Sequence, residues 1–107
     1  MNLAEACYRL TALLPREEIY GLSSQIRRSA GSVPANIAEG YGRDNLGSYI
    51  HHLKIAQGSL KETETHVLLG ERVSMLPSDA VAPILQSSDE VGRLLRALVR
   101  ALESKKH

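Results

Sequence analysis

Tryptophan and phenylalanine are absent from this sequence, and four tyrosines are its only aromatics. Any core it builds is therefore aliphatic, drawn from Leu, Ile, Val and Ala. A single cysteine, Cys7, rules out an internal disulfide and fits a reducing, cytoplasmic compartment. Long apolar runs are also missing. The longest are about three residues, far below the roughly 18 that a membrane-spanning helix needs. Residues 1–15 carry neither a basic leader region nor an extended apolar one, so no secretory signal is read there. Charge of one sign is scarce too. A net charge of +1 is too small to imply a polyanionic partner on its own.

What is present is helical. The 107 residues suit one domain, and 43% hydrophobic content excludes a disordered composition. Strand-type alternation does not occur, whereas apolar residues recur every three or four positions. Leu3, Ala6, Cys7, Leu10, Leu13 and Leu14 form a first stripe that Pro15 ends. A second runs through Ile19, Leu22, Ile26, Ala30, Val33 and Ile37, with Pro15, Glu17 and Glu18 suited to its first turn. Pro34 lies inside it and is expected to kink it, and Gly40-Tyr41-Gly42 to end it. Asn45 is a helix-capping residue ahead of a third seam, Leu46, Ile50, Leu53, Ala56, Leu60, Thr63 and Val67. Ile55, Leu69 and Val73 make a second, weaker face on that helix, of the kind that serves subunit contacts. Pro77-Ser78-Asp79 starts a last helix carrying Ile84, Val91, Leu95, Leu98 and Leu102, with Leu94 and Val99 flanking. The prediction is one all-α domain over 1–107, an antiparallel up-down four-helix bundle with helices at about 2–14, 16–39, 45–73 and 78–104. Gly31, Gly58, Gly70 and Gly92 fall inside helices and predict close helix contact there.

No constellation of residues names a reaction. Gly40-Tyr41-Gly42-Arg43-Asp44-Asn45 begins like a dinucleotide fingerprint, but Asn45 stands where the third glycine belongs and no strand precedes it. Glu62 and His66 share a helix face, yet no second copy of such a pair exists to complete a bundle metal site. His51 and His52 are adjacent and point about 100° apart on a helix. Cys7 lies on an apolar stripe and reads as a small core residue. The expectation is a non-enzymatic protein with no cofactor and no metal.

Charge distribution is more informative than net charge. Residues 61–90 carry two basic and six acidic side chains, whereas residues 91–107 carry five basic and one acidic. Arg93, Arg96 and Arg100 share one face of the last helix at spacings of three and four. Arg27 and Arg28 sit together in the second helix, Arg43 follows it, and Lys54 lies in the third. These seven are the candidate phosphate-contacting residues. The competing reading for Arg27 and Arg28 is a salt bridge to Glu39 or to a neighbouring subunit. Asn36, beside Pro34, is a candidate to cap the carbonyls that the proline frees.

One stretch is similar to a known family. Tyr8-x-Leu10-Thr11, Pro15-x-x-Glu18, Gly21-Leu22-Ser23-Ser24-Gln25-Ile26-Arg27-Arg28-Ser29-Ala30 and Ser32-Val33-Pro34-Ala35-Asn36-Ile37-Ala38-Glu39-Gly40 resemble the signature of four-helix bundle proteins related to the ribosomal RNA (23S) intervening-sequence protein. Ile55-Ala56-Gln57-Gly58-Ser59-Leu60-Lys61-Glu62 is similar to that family's third-helix motif. Pro34, Asn36, Glu39 and Gly40 are its structural core. The resemblance implies a homo-oligomer, a pentamer, without enzymatic activity. It extends to the accessory protein of diversity-generating retroelements, which binds a reverse transcriptase and nucleic acid. The sequence departs from the pattern at His51-His52, where relatives carry an Arg-Phe pair, and at Gly47 and Ser48, where they carry charge. Two functions follow as expectations: association with structured RNA or DNA through basic surface residues, or a homo-oligomeric adaptor for a protein partner such as a reverse transcriptase. A membrane partner is not expected.

Overall fold

The computed structural model describes residues 2–105; residues 1, 106 and 107 of the expected domain lie outside the described residues. Four α-helices follow in order: α1 Asn2–Thr11, α2 Leu22–Tyr41, α3 Leu46–Arg72 and α4 Ser78–Ser104, with no strand among the described residues. They form an elongated body of 49 × 23 × 18 Å.

In α1, Leu3, Cys7 and Leu10 face inward at spacings of four and three, and Leu14 beyond it continues the stripe. The helix ends at Thr11, earlier than the expected Leu14, where the Thr11 hydroxyl donates to the Tyr8 carbonyl at 2.6 Å. The next three residues wind with tighter i→i+3 bonds ahead of Pro15. That turn leaves Leu13 54% exposed, off the stripe to which its spacing assigned it.

The second expected helix is divided. Arg16–Tyr20 forms a separate 3-10 turn, Gly21 interrupts it, and α2 starts at Leu22. Glu18 belongs to that turn and accepts from the Leu22 amide at 3.1 Å, so its carboxylate caps α2 from outside. Ile19, expected in the apolar stripe, is exposed with the turn.

A line of polar contacts runs along the α2–α3 seam beside its aliphatic core. Thr63 and Ser29 hydroxyls meet at 2.9 Å, Ser59 donates to Ser32 at 2.9 Å, and His52 Nδ1 lies 3.2 Å from Asn36 Oδ1. Partner numbers in α3 fall as those in α2 rise, so the two helices run in opposite directions. Asn45 caps α3 by accepting from the Ser48 amide at 2.9 Å. Pro34 is accommodated inside α2, where its missing N–H leaves the Ala30 carbonyl without its helical donor. Asn36 does not serve that carbonyl. Its amide donates within α2 to the Ser32 carbonyl at 2.9 Å and the Ser32 hydroxyl at 3.0 Å, which turns its oxygen toward His52 across the seam.

The core is aliphatic, with Ile26, Leu53, Ala56, Val67 and Val81 among its most buried side chains. In α4 the inward face is Val81, Ile84, Ser88, Gly92, Leu95 and Val99. Leu98, expected on that face, is 36% exposed and Leu102 only half-buried, so the seam is rotated from the predicted one. Gly70 meets Leu76 and Leu22 closely, as predicted, and Gly92 lies against Leu60. Gly31 and Gly58 have nothing within 4 Å of where a side chain would start, so no close contact within the chain explains them.

Candidate nucleic-acid interface

The seven candidate basic residues fall on separate surfaces. Arg27 is half-buried in the α1–α2 seam. Its Nε donates to Thr11 Oγ1 at 2.9 Å, and its guanidinium lies 5.3 Å from the centre of the Tyr8 ring. Arg28 ion-pairs across the seam with Glu62 and bonds Gln25 on its own helix at 2.9 Å. The expected acidic partner of this pair, Glu39, instead holds Arg43 at 2.6 Å. These three arginines therefore tie helices or a helix end, and they do not share a face with the rest.

Lys54, Arg93, Arg96 and Arg100 do share one. Lys54 reaches Glu103 in the last turn of α4 at 3.1 Å, which brings it beside the arginine stripe. Arg93 pairs with Asp89 one turn earlier at 3.2 Å. Arg96 lines a cleft between α3 and α4 together with Gln57, Lys61, Glu64 and Ser88. Arg96 and Arg100 are exposed and make no ion pair among the described residues. Exposed pairs such as Lys54–Glu103 are worth at most about 1 kcal/mol, so a phosphate can displace the carboxylate.

Sequence reasoning missed Lys61, which extends this face along α3 and pairs with Glu64 at 3.3 Å. Its spacing of seven from Lys54 was the available signal. It also missed the buried Ser29 and Ser59 and the half-buried Ser32, whose hydroxyls sit at helical spacing on otherwise apolar faces and meet the Thr63 seam.

Among the described residues no group of three or more His, Cys, Asp or Glu side chains converges as a metal site. His66 lies 3.4 Å from Glu62, the carboxylate that Arg28 already occupies. That carboxyl is held below the usual range, chiefly by its hydrogen bond from Arg28. Cys7 is fully buried, and burial pushes its thiol up to about 11, which leaves it a poor nucleophile. No helix among the described residues is long and apolar enough to cross a membrane.

A small all-α bundle carrying a basic two-helix face is the class that this geometry defines. Residues 1–97 match the profile of the 23S rRNA-intervening sequence protein family, and the chain belongs to that family. A solved structure similar to it is a protein of unknown function from the S23 ribosomal protein family of Bacteroides thetaiotaomicron. The two are 28% identical with a TM-score of 0.85, over 92% of this chain and 89% of that one. Comparison with curated proteins gives no match.

Proposed function

We propose that the protein is a non-enzymatic, cytoplasmic helical module that associates with structured RNA or DNA through the α3–α4 face. The observation that carries this reading is the shared surface of Lys54, Lys61, Arg93, Arg96 and Arg100, on which Arg96 and Arg100 are exposed and make no ion pair among the described residues. Membership of a family named for ribosomal RNA intervening sequences supports it. Assembly into a homo-oligomer, the pentamer that the resemblance implies, multiplies such a modest patch through multivalency.

The test is a fluorescence anisotropy titration with a structured RNA and a duplex DNA at several salt concentrations. Binding weakens as salt rises, with a slope of about 0.9 per neutralised phosphate on duplex DNA. Reversal of Arg96 and Arg100 to Glu lowers both affinity and slope, whereas Arg43→Glu leaves them nearly unchanged. An unchanged slope in the double variant removes the α4 stripe from the interface.

A second reading is a homo-oligomeric adaptor for a protein partner, such as a reverse transcriptase, with no nucleic-acid ligand of its own. It rests on Ile55 and Leu69 of α3 and Val73 at its end, which are 37%, 50% and 49% exposed, and on the open space at Gly58. Absence of nucleic-acid binding at low salt, with a partner retained after nuclease treatment, favours it.

A further inference from the structure

We infer that the pocket between the end of α1, the Arg16–Tyr20 turn and the start of α2 is a binding site for a phosphate monoester. Its volume is about 240 Å³. Arg16, Ser23, Arg27 and Thr11 supply its polar lining, and Leu14, Pro15 and Ile19 much of the rest. No acidic residue lines it.

Ser23 is only 4% exposed, and its hydroxyl makes no hydrogen bond among the described residues. In this it differs from Thr11, Ser29, Ser59, Thr63 and Ser88, which are buried and bonded. Among the described residues, every buried side-chain nitrogen or oxygen that is sealed from solvent has a partner. The Ser23 hydroxyl is therefore not sealed, and the space it opens on is this pocket. A hydroxyl held there without a protein partner is satisfied by an acceptor that enters the pocket.

The surrounding charges say which acceptor. Arg27 is half-buried, spends its Nε on Thr11 and lies over the Tyr8 ring, and makes no ion pair among the described residues. Its terminal amino groups remain as donors. Arg16 is exposed and also makes no ion pair there. Arg28 and Arg43, by contrast, each hold a carboxylate. The same place is the positive end of the 20-residue α2, which has no side-chain cap from Gly21. The Ser23 and Ser24 amides take no acceptor among the described residues. Glu18 meets only the Leu22 amide and lines a different groove with Leu22 and Gln25.

Two guanidinium groups, a hydroxyl and a helix N-terminus suit a doubly charged oxyanion better than a single carboxylate. The volume holds about eight waters, more than a bare phosphate fills. Leu14, Pro15 and Ile19 give the remainder an apolar wall, which fits a small organic group esterified to the phosphate. This site lies apart from the α3–α4 basic face and does not depend on it.

The experiment titrates the isotope-labelled full chain with inorganic phosphate, with phenyl phosphate and with phenol, at constant ionic strength, and follows backbone amide and arginine side-chain resonances. Saturable shifts centred on Ser23, Ser24 and Arg27 are expected with both phosphates and not with phenol. Phenyl phosphate should bind at least about threefold tighter than inorganic phosphate, through the apolar wall. Ser23→Ala should weaken it about threefold or more, and Arg16→Gln, at an exposed position that leaves the fold intact by circular dichroism, about tenfold. Arg100→Gln should leave it unchanged. No saturable shift, shifts spread evenly over the exposed basic residues, or indifference to both Ser23→Ala and Arg16→Gln overturns the inference. A short RNA with a 5′-phosphate, compared with the same strand ending in a hydroxyl, identifies the source of the ester. A phosphate-dependent gain over phenyl phosphate at these resonances supports a strand end, and its absence beside tight phenyl phosphate binding supports a small molecule.

Discussion

A β-carbon placed on Gly40 would lie 2.8 Å from the Cβ of His52, so the α2 and α3 backbones meet there at a separation that only glycine allows. The same carbon would press on Tyr49, whose ring packs edge-on against Tyr41 at 6.2 Å. Gly40→Ala should therefore destabilise the fold by about 1–3 kcal/mol, the usual cost of overpacking, despite alanine's better helix propensity. Chemical denaturation of the variant measures it. A neutral or positive change would mean that the helices separate freely at this end.

Gly58 gives the opposite sign. It lies inside α3 with nothing within 4 Å of its missing side chain. Gly58→Ala should stabilise the isolated chain by about 0.5–1 kcal/mol, because only the helix propensity changes. If this open position lies at a contact between copies, the same substitution lowers the oligomer's sedimentation coefficient while raising the stability of the monomer.

These two glycines show how far the sequence can be read. Gly40 reads as part of a helix-ending Gly-Tyr-Gly and Gly58 as a close-contact glycine inside a helix, yet the close approach is at Gly40 and the open space at Gly58, because the difference is what faces them from another helix. The four helices themselves were legible because apolar spacing, Asn45 and the prolines are local signals. The rotation of α4 was not. Leu94, Leu95, Leu98 and Val99 offer two adjoining apolar faces, and the choice between them depends on which one the other helices cover. The candidate interface was legible in part. The spacing of Arg93, Arg96 and Arg100 placed them on one face, but the partner of Arg28 is Glu62, 34 positions away, and no local pattern pairs them.

Cys7 should resist thiol reagents in the folded protein. It is fully buried, and its thiol is pushed up to about 11, so little thiolate exists near neutral pH and the reagent cannot reach it. Modification should follow the rate of local opening and become rapid only in denaturant. Stoichiometric labelling within seconds under native conditions would show that α1 opens readily from the bundle.

Acid should weaken the α2–α3 seam through Glu62. Its folded carboxyl titrates below its unfolded value, chiefly because Arg28 donates to it. The stabilisation is therefore present at pH above the unfolded value of about 4.3 and is lost as pH falls through the folded one. Glu62→Gln should flatten the acid limb of a stability-against-pH profile. An acid limb identical in the variant would assign the loss to other carboxylates.

Ser74 holds φ at 63°, and among the described residues it is the one non-glycine in the left-handed region. It follows the end of α3, where the Met75 and Leu76 amides fold back onto the Gly70 carbonyl at 2.9 and 3.1 Å. Helices commonly close this way with glycine at the left-handed position, because a side chain there costs about 1 kcal/mol or more. Against that gain stands glycine's greater freedom in the unfolded chain, which offsets part of it. Ser74 is exposed and donates no side-chain hydrogen bond in the turn, so removing its hydroxymethyl group sacrifices no contact. Ser74→Gly should thus stabilise the bundle by about 0.5 kcal/mol, whereas Ser74→Val, branched at the β-carbon, should destabilise it by more than that. Thermal unfolding of the two variants should move the midpoint in opposite directions, and a shift of the same sign in both would place the strain elsewhere in the α3–α4 turn.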